Sequence, residues 1–330
     1  MEDRKKDHID LALASQTLVD HMDTRFYYEP MLSAHPTHAI PEVSFTGKTL
    51  RLPLWVSSMT GGTKMAGTIN RNLARACREF GMGMGLGSCR MLLDENQYFP
   101  DFDMRDTIGD DLPFYANLGI NQLEILLQDN AVDKLSRLVD KLRADGLIIH
   151  VNPFQEWFQP EGDRLQQPPI ESVQALLEQV NFPIIVKEVG QGMGPDSLRS
   201  LLRLPLAAVE FAAFGGTNFA KVELLRNPAQ PKELFEPLSH VGHDALQMVN
   251  MVNNIIEKED VQCRQLIISG GVRSFLDGYY LLHASRLPAI YGQASAFLKH
   301  AKDDYKTLET YVKHQVSGLQ MAYAYLRIRQ

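Results

Sequence analysis

The stretch LIIHVNPFQEW, residues 147–157, carries an apolar run into His150, Asn152, Gln155 and Glu156. An imidazole, two amides and a carboxylate so close together can donate, accept and hold charge. That set suits a pocket wall, a proton relay or a cation site. Glu156 follows the turn that Pro153 forces, and Mg²⁺ commonly takes one or two carboxylates together with waters and a substrate's phosphate oxygens. A solvated loop glutamate fits the same local sequence. His150, taken alone, reads more readily as a hydrogen-bonded core histidine than as a catalyst.

Similar polar endings recur along the chain. Ser57, Ser58, Met59 and Thr60 close one apolar run; Ser88, Cys89 and Arg90 close the next, and Asn117 a third. Lys187 and Glu188 end PIIVKE, and an ammonium there is costly unless something anionic neutralises it. Glu188 is one candidate partner; another is the N1–C2=O edge of a reduced flavin, whose electronics proteins tune with nearby positive charge. Gly215, Gly216, Thr217 and Asn218 follow a further run. Gly270, Gly271 and Arg273 in SGGVR, then Gln293 and Ala294, complete the series. Paired glycines free backbone N–H groups to approach an anion, and together these loops suggest a phosphate. Cys89 has no neighbouring histidine and small neighbours, which favours packing over nucleophilic work.

Placing these residues together requires a particular scaffold. Eight short apolar runs alternate with segments such as TINRNLARACREF and HDALQMVNMVNNIIEKE, whose apolar residues recur at three- and four-residue spacing. Strand, turn and helix repeated about eight times predict a (β/α)₈ TIM barrel, an α/β fold whose chemistry gathers at the C-terminal strand ends. A doubly wound open sheet would favour a GxGxxG turn after the first strand, where SSMTGGT stands instead. We expect one domain over residues 1–330: an N-terminal helical extension over about 1–50, the barrel over about 51–300 and a C-terminal helix over 301–330.

The bulk properties agree with this. Of 330 residues, 45% are hydrophobic and 22% charged, enough for a sizeable core. A net charge of −7 argues against general nucleic-acid binding. Three scattered cysteines make neither a disulfide framework nor a zinc site. The charged start MEDRKKDHID is unlike a secretory leader, and no apolar run approaches the roughly 20 residues that span a bilayer. A cytoplasmic protein is the expectation. In that start, Arg4, Lys5 and His8 would share one side of a helical turn and could meet a diphosphate, although such termini commonly remain frayed and solvated.

In combination and in this order, RKKDHI, SSMTGGT, GMGLGSCR, ANLG, HVNPFQEWFQPEGDR, VKEVGQGM, GGTNF and SGGVR resemble the type 2 isopentenyl diphosphate isomerases. The resemblance runs from about residue 4 to about residue 298, and its HxNxxQExxQPEGD block is specific to that family. It implies an FMN- and Mg²⁺-dependent barrel, with the flavin reduced by NADPH, that interconverts isopentenyl and dimethylallyl diphosphate. Ser58, Met59, Thr60, Ser88, Asn117 and Lys187 would contact the flavin ring. Thr217, Gly270, Gly271, Val272, Arg273, Ala294 and Ser295 would hold its phosphate. Arg4, Lys5 and His8 would close over the substrate diphosphate, joined by Ser88 and Arg90. His150, Asn152 and Gln155 would line the hydrocarbon end, and Glu156 would hold Mg²⁺. A homo-oligomer, tetramer or octamer, is implied with it, without nucleic acid or membrane.

Three departures stand out: Cys89 where the family usually has Gln, Ala212-Ala213-Phe214 where glycines are common, and Ala294-Ser295 after the last strand. The implied reaction adds a proton to the terminal alkene carbon and removes another from C2. We assign its catalytic residues as His150, Gln155 and Lys187, with the acid/base atom supplied by the flavin, because no pair of titratable side chains suits both steps. An FMN-dependent oxidoreductase of the hydroxy-acid or dihydroorotate type is the alternative enzyme, and a phosphate-binding barrel without turnover the alternative of another class.

Overall fold

Eight short parallel strands close on themselves in the computed structural model, which describes residues 2–37, 39–58, 64–227 and 231–329. The barrel strands are β1 (Leu54–Val56), β2 (Gly83–Gly85), β3 (Phe114–Gly119), β4 (Gly146–His150), β5 (Ile184–Lys187), β6 (Ala208–Glu210), β7 (Leu266–Ser269) and β8 (Ala289–Gln293). Each pairs with the next, and β8 pairs with β1. Every apolar run singled out in the sequence contains one of them. The strands are buried almost throughout because side chains fill the barrel within and helices cover it outside.

Side-chain size explains the glycines of β2. Trp55 on β1 pairs with Gly83, and a Cβ added at Gly83 would lie 2.6 Å from the indole ring. The same operation at Gly85 meets Ile148 at 2.4 Å and the Ser58 hydroxyl at 2.7 Å. The MGMGLG run is therefore a strand despite its glycines, since its neighbours occupy the space its side chains would need.

A hairpin of Val43–Phe45 and Lys48–Leu50 plugs the far end of the barrel. Its two-residue turn places Thr46 and Gly47 at φ 48° and 81°, the primed geometry that suits strand twist. Phe45 is buried against Trp55, with ring centroids 5.8 Å apart, and burial of such a ring contributes about 2–3 kcal/mol. Outside the barrel, helices such as Asp133–Leu142 turn Leu135, Leu138, Val139 and Leu142 inward.

The termini differ in one respect from the sequence expectation. The C-terminal helix is present as Tyr305–Tyr325, but the chain leaves it at Leu326, and Leu326–Ile328 pairs antiparallel with Phe26–Tyr28. Before that strand, the helix Glu2–Ala12 and all residues from Asp3 to Thr24 are exposed. Among the described residues no helix is long and apolar enough to cross a membrane.

Candidate active site

At the C-terminal ends of β1 and β5–β8 lies a cavity of about 460 Å³. It gathers Ser58, Lys187, Thr217, Gly270, Gly271, Val272, Arg273, Ala294 and Ser295, nine residues expected to hold a cofactor. Met59 and Thr60 lie outside the described residues. Lys299, in the helix after β8, also lines the cavity; only its position one turn past a glycine-bearing strand could have signalled it.

The wall formed by the loops after β6–β8 is made chiefly of backbone. Gly270 sits at φ +86°, and a Cβ there would come within 2.1 Å of the Ala213 N and O atoms. Gly215, at φ +117°, lies against the Cα of Gly271. Among the described residues, no acceptor takes the N–H groups of Gly215, Gly216, Gly271, Val272 or Ala294. Side chains behind the loop hold it in place: one Asp277 oxygen accepts from the Arg273 and Ser274 N–H groups, both at 3.0 Å. Asp277 also caps its own helix with Ser274 and forms an ion pair with Arg25 at 2.8 Å. Gln293 donates to the Val272 carbonyl at 3.2 Å and is itself braced by the Tyr311 hydroxyl. The result is a fixed nest of free amides, the arrangement that receives a phosphate.

Opposite this wall the inward side chains carry charge. Strand register aligns His150 with Lys187 and Lys187 with Glu210, giving one row across β4, β5 and β6. Lys187 is 6% exposed and donates to the Glu188 carbonyl at 2.8 Å. The Glu188 carboxylate is otherwise engaged, accepting from the N–H groups of Gly190, Gln191 and Gly192. Burial pushes that carboxyl up, against the pull of those three donors. His150 shares a 2.8 Å hydrogen bond between its Nδ1 and the Asn117 Oδ1. The Asn117 amide nitrogen donates to the Leu86 carbonyl at 2.9 Å, so its oxygen must be the atom facing the ring. Nδ1 therefore bears the hydrogen and Nε2 keeps its lone pair. Burial, followed by the charge of Lys187, pulls the imidazole down to about 3, so His150 is neutral at physiological pH.

A second group forms after β4. Asn152, 2% exposed, donates to the Gln155 Oε1 at 3.1 Å and the Glu156 Oε1 at 3.0 Å. The other Glu156 oxygen accepts from the Asp163 N–H at 3.1 Å. The carboxylate is thus held from both sides. Asn152 and Gln155 line a separate cavity of about 260 Å³ behind this wall, together with Glu188 and His243. Arg90 is exposed and lies 3.6 Å from Asp163; Ser88 is exposed beside it. Cys89 is fully buried, and burial pushes its thiol up to about 12, as a packing residue requires. Arg4, Lys5 and His8 lie on the exposed helix, and their side chains make no hydrogen bond or ion pair with any described residue. Among the described residues no cluster of three or more His, Cys, Asp or Glu gathers around a common point.

Sequence reasoning missed Glu210. Its signal, one acid inside the apolar run LAAVEFAA, is slight, yet the residue is fully buried and accepts from the hydroxyls of Ser57 at 2.6 Å and Ser269 at 3.0 Å.

Curated relatives resemble the chain over most of its length. It is 35% identical over 311 residues to an isopentenyl-diphosphate delta-isomerase of Rickettsia felis, covering 91% of this chain and 85% of the relative. To the protein of the same name in Deinococcus radiodurans it is 31% identical over 331 residues, covering 98% and 93%. No family model matches the chain. Among solved structures, the flavin-binding domain of baker's yeast flavocytochrome b2 superposes with TM-score 0.61 at 12% identity, covering 90% of this chain and 71% of that one. A mandelate oxidase variant with (S)-mandelic acid gives 0.57 at 13%, covering 93% and 87%. At such identities these two speak to the barrel alone.

Proposed function

The chain belongs to the isopentenyl-diphosphate delta-isomerase family and is an isomerase of that kind, and from this premise we propose that it interconverts isopentenyl and dimethylallyl diphosphate with FMN in the 460 Å³ cavity and Mg²⁺ at Glu156. The observation that carries the flavin assignment is the match between the cavity's unfilled bonding capacity and the cofactor's two ends. Around one end are the free amides of Gly271, Val272 and Ala294, with Thr217 and Arg273 at the rim, suited to a phosphate. At the other are the buried Ser58 hydroxyl, which has no partner among the described residues, and the Lys187 ammonium, which donates to a carbonyl. Asn117 and Ser88 do not line this cavity; in this reading Asn117 reaches the ring side through His150, and Ser88 lies exposed after β2.

When bound and reduced, by NADPH in this reading, the flavin supplies the acid and base that the alkene needs. The protein's own work is orientation and exclusion of water. Asn152 fixes Glu156 and Gln155 by its two hydrogen bonds, and so positions rather than touches the substrate. One oriented carboxylate suffices for Mg²⁺ when waters and a diphosphate complete the shell. The Asn117 bond fixes the orientation of the neutral His150 ring, which in this reading lines the alkene end of the site without bringing a charge to it. Lys187 stabilises the negative charge of the reduced ring. Arg4, Lys5 and His8, with Arg90, would form the cationic grip on the diphosphate once the exposed segment folds over; Arg25, tied to Asp277, ends that segment beside the phosphate loop. We read the whole chain as one such domain, working in the cytoplasm as a homo-oligomer; of the 1–50 extension only the exposed residues 3–24 are placed to serve as lid, since the 43–50 hairpin closes the opposite end of the barrel.

The test is incubation of purified protein with FMN, NADPH, Mg²⁺ and isopentenyl diphosphate. Dimethylallyl diphosphate should form with no stoichiometric loss of NADPH. Product that requires one NADPH per turnover would point to the oxidoreductase alternative, and absence of any product would overturn the reading.

A further inference from the structure

Glu210 has no role in the mechanism above, yet it is the most deeply buried acid beside the cavity. It is fully buried at the end of β6, and its Oε1 takes hydroxyl protons from both Ser57 and Ser269. Its Oε2 has no partner among the described residues. The three side chains converge where β8 carries Gly292; a Cβ there would lie 2.7 Å from the Ser57 Oγ and 2.8 Å from the Ser269 Cβ. Ser57, Ser269 and Gly292 line the cavity, so Glu210 lies just beneath its floor.

Two consequences follow. The Ser57 hydroxyl donates its one hydrogen bond to Glu210, so toward the cavity it can only accept. Ser269 likewise donates to Glu210 and accepts the Ala212 N–H at 3.0 Å. The second consequence concerns charge. Lys187 is the register neighbour of Glu210, and the other neighbour in the row, His150, is neutral. An ammonium buried without countercharge costs several kcal/mol. The Glu188 carboxylate feels the Lys187 charge but is already held by three backbone N–H groups; within the row, Glu210 is the acid in register with Lys187, acting on it without a direct ion pair.

Resting on the FMN reading, we propose that Glu210 is a positioning residue that balances Lys187 beneath the flavin seat and thereby restrains the preference of the site for the reduced, more negative cofactor. Lys187 draws negative charge into the ring; the carboxylate below opposes it, and the resting potential reflects both.

The experiment is a redox titration of FMN-loaded protein in four forms: wild type, Glu210→Gln, Lys187→Met and the double variant. Glu210→Gln should tighten reduced relative to oxidised FMN about tenfold, which for a two-electron couple raises the potential by about 30 mV. Lys187→Met should lower it, and the double variant should return toward wild type. A potential unchanged or lowered in Glu210→Gln, or a double variant that simply tracks Lys187→Met, overturns the proposal. Should Glu210→Gln fail to fold with a bare ammonium inside, the comparison of Lys187→Met with the double variant still decides. Thermal unfolding of the same four proteins without flavin gives an independent reading: the Glu210→Gln penalty should largely vanish once Lys187 is gone. Additive penalties would refute the pairing even if the protein took up no FMN, an outcome that would instead sink the cofactor assignment.

Discussion

The two halves of the barrel mouth are built from different materials. The loops after β6, β7 and β8 present backbone: glycines at positive φ, unpaired amides, and side chains such as Asp277 and Gln293 that work from behind. The ends of β3, β4 and β5 present side chains: Asn117, His150, Asn152, Glu156 and Lys187, each fixed by a named partner. Backbone donors make a place for an anion but titrate nothing. Side chains bring charge and proton affinity, and each must be oriented. The first half therefore suits a permanently bound phosphate, and the second suits reacting atoms.

That contrast predicts distinct failures. The greatest damage should come from giving the backbone half a side chain. Gly270→Ala forces a Cβ into Ala213 at a φ that disfavours it, and should cost about 3 kcal/mol of stability. FMN uptake, followed by flavin fluorescence, should fall more than about 100-fold; normal uptake would erase the distinction between the halves. Narrower in scope, because it spares the fold and the flavin, is Glu156→Ala on the other half. It should leave FMN uptake intact while lowering kcat/KM by about 100- to 1000-fold, or about 3–4 kcal/mol of transition-state stabilisation, measured across a Mg²⁺ series.

His150→Gln should be milder, about tenfold in kcat/KM. Because the folded imidazole is held down to about 3, the wild-type rate should show no limb near pH 6.5 that the substitution removes. Stability should respond differently. The unfolded chain takes up that proton near pH 6.5 and the folded chain does not. This contribution is fully present above the unfolded value and is lost as pH falls from about 6.5 toward 3. Urea midpoints of the variant should accordingly decline less steeply over that range; equal slopes would place the imidazole in water.

Much of this arrangement can be read directly from the chain. All eight strands lie in runs whose apolar continuity is visible, and the polar residues ending them can be named because strand ends are local. Relations across the barrel are less visible. Asn117 and His150 are 33 positions apart, and Arg25 and Asp277 are 252 apart. Nothing in either segment announces its partner. The strand pairing of Phe26–Tyr28 with Leu326–Ile328 escaped notice for the same reason. Glu210 was hidden by its company, since an acid among alanines and valines gives no periodic sign that its carboxylate meets two serines inside. Asn152 and Gln155, which the resemblance places at the hydrocarbon end of the substrate site, line a cavity apart from the one that gathers the cofactor residues; nothing local in the turn at Pro153 says which side of a wall each will face.

Asp277 performs two duties with a single carboxylate: it clamps the Gly270–Ser274 loop, and it moors the first ordered strand through Arg25. Upstream of that knot the described residues 3–24 are all exposed, whereas every strand of the barrel lies downstream of it. A tug on the leash formed by residues 3–24 is thus delivered to the loop with the bare amides, so the arm and the anion cradle share one mechanical joint.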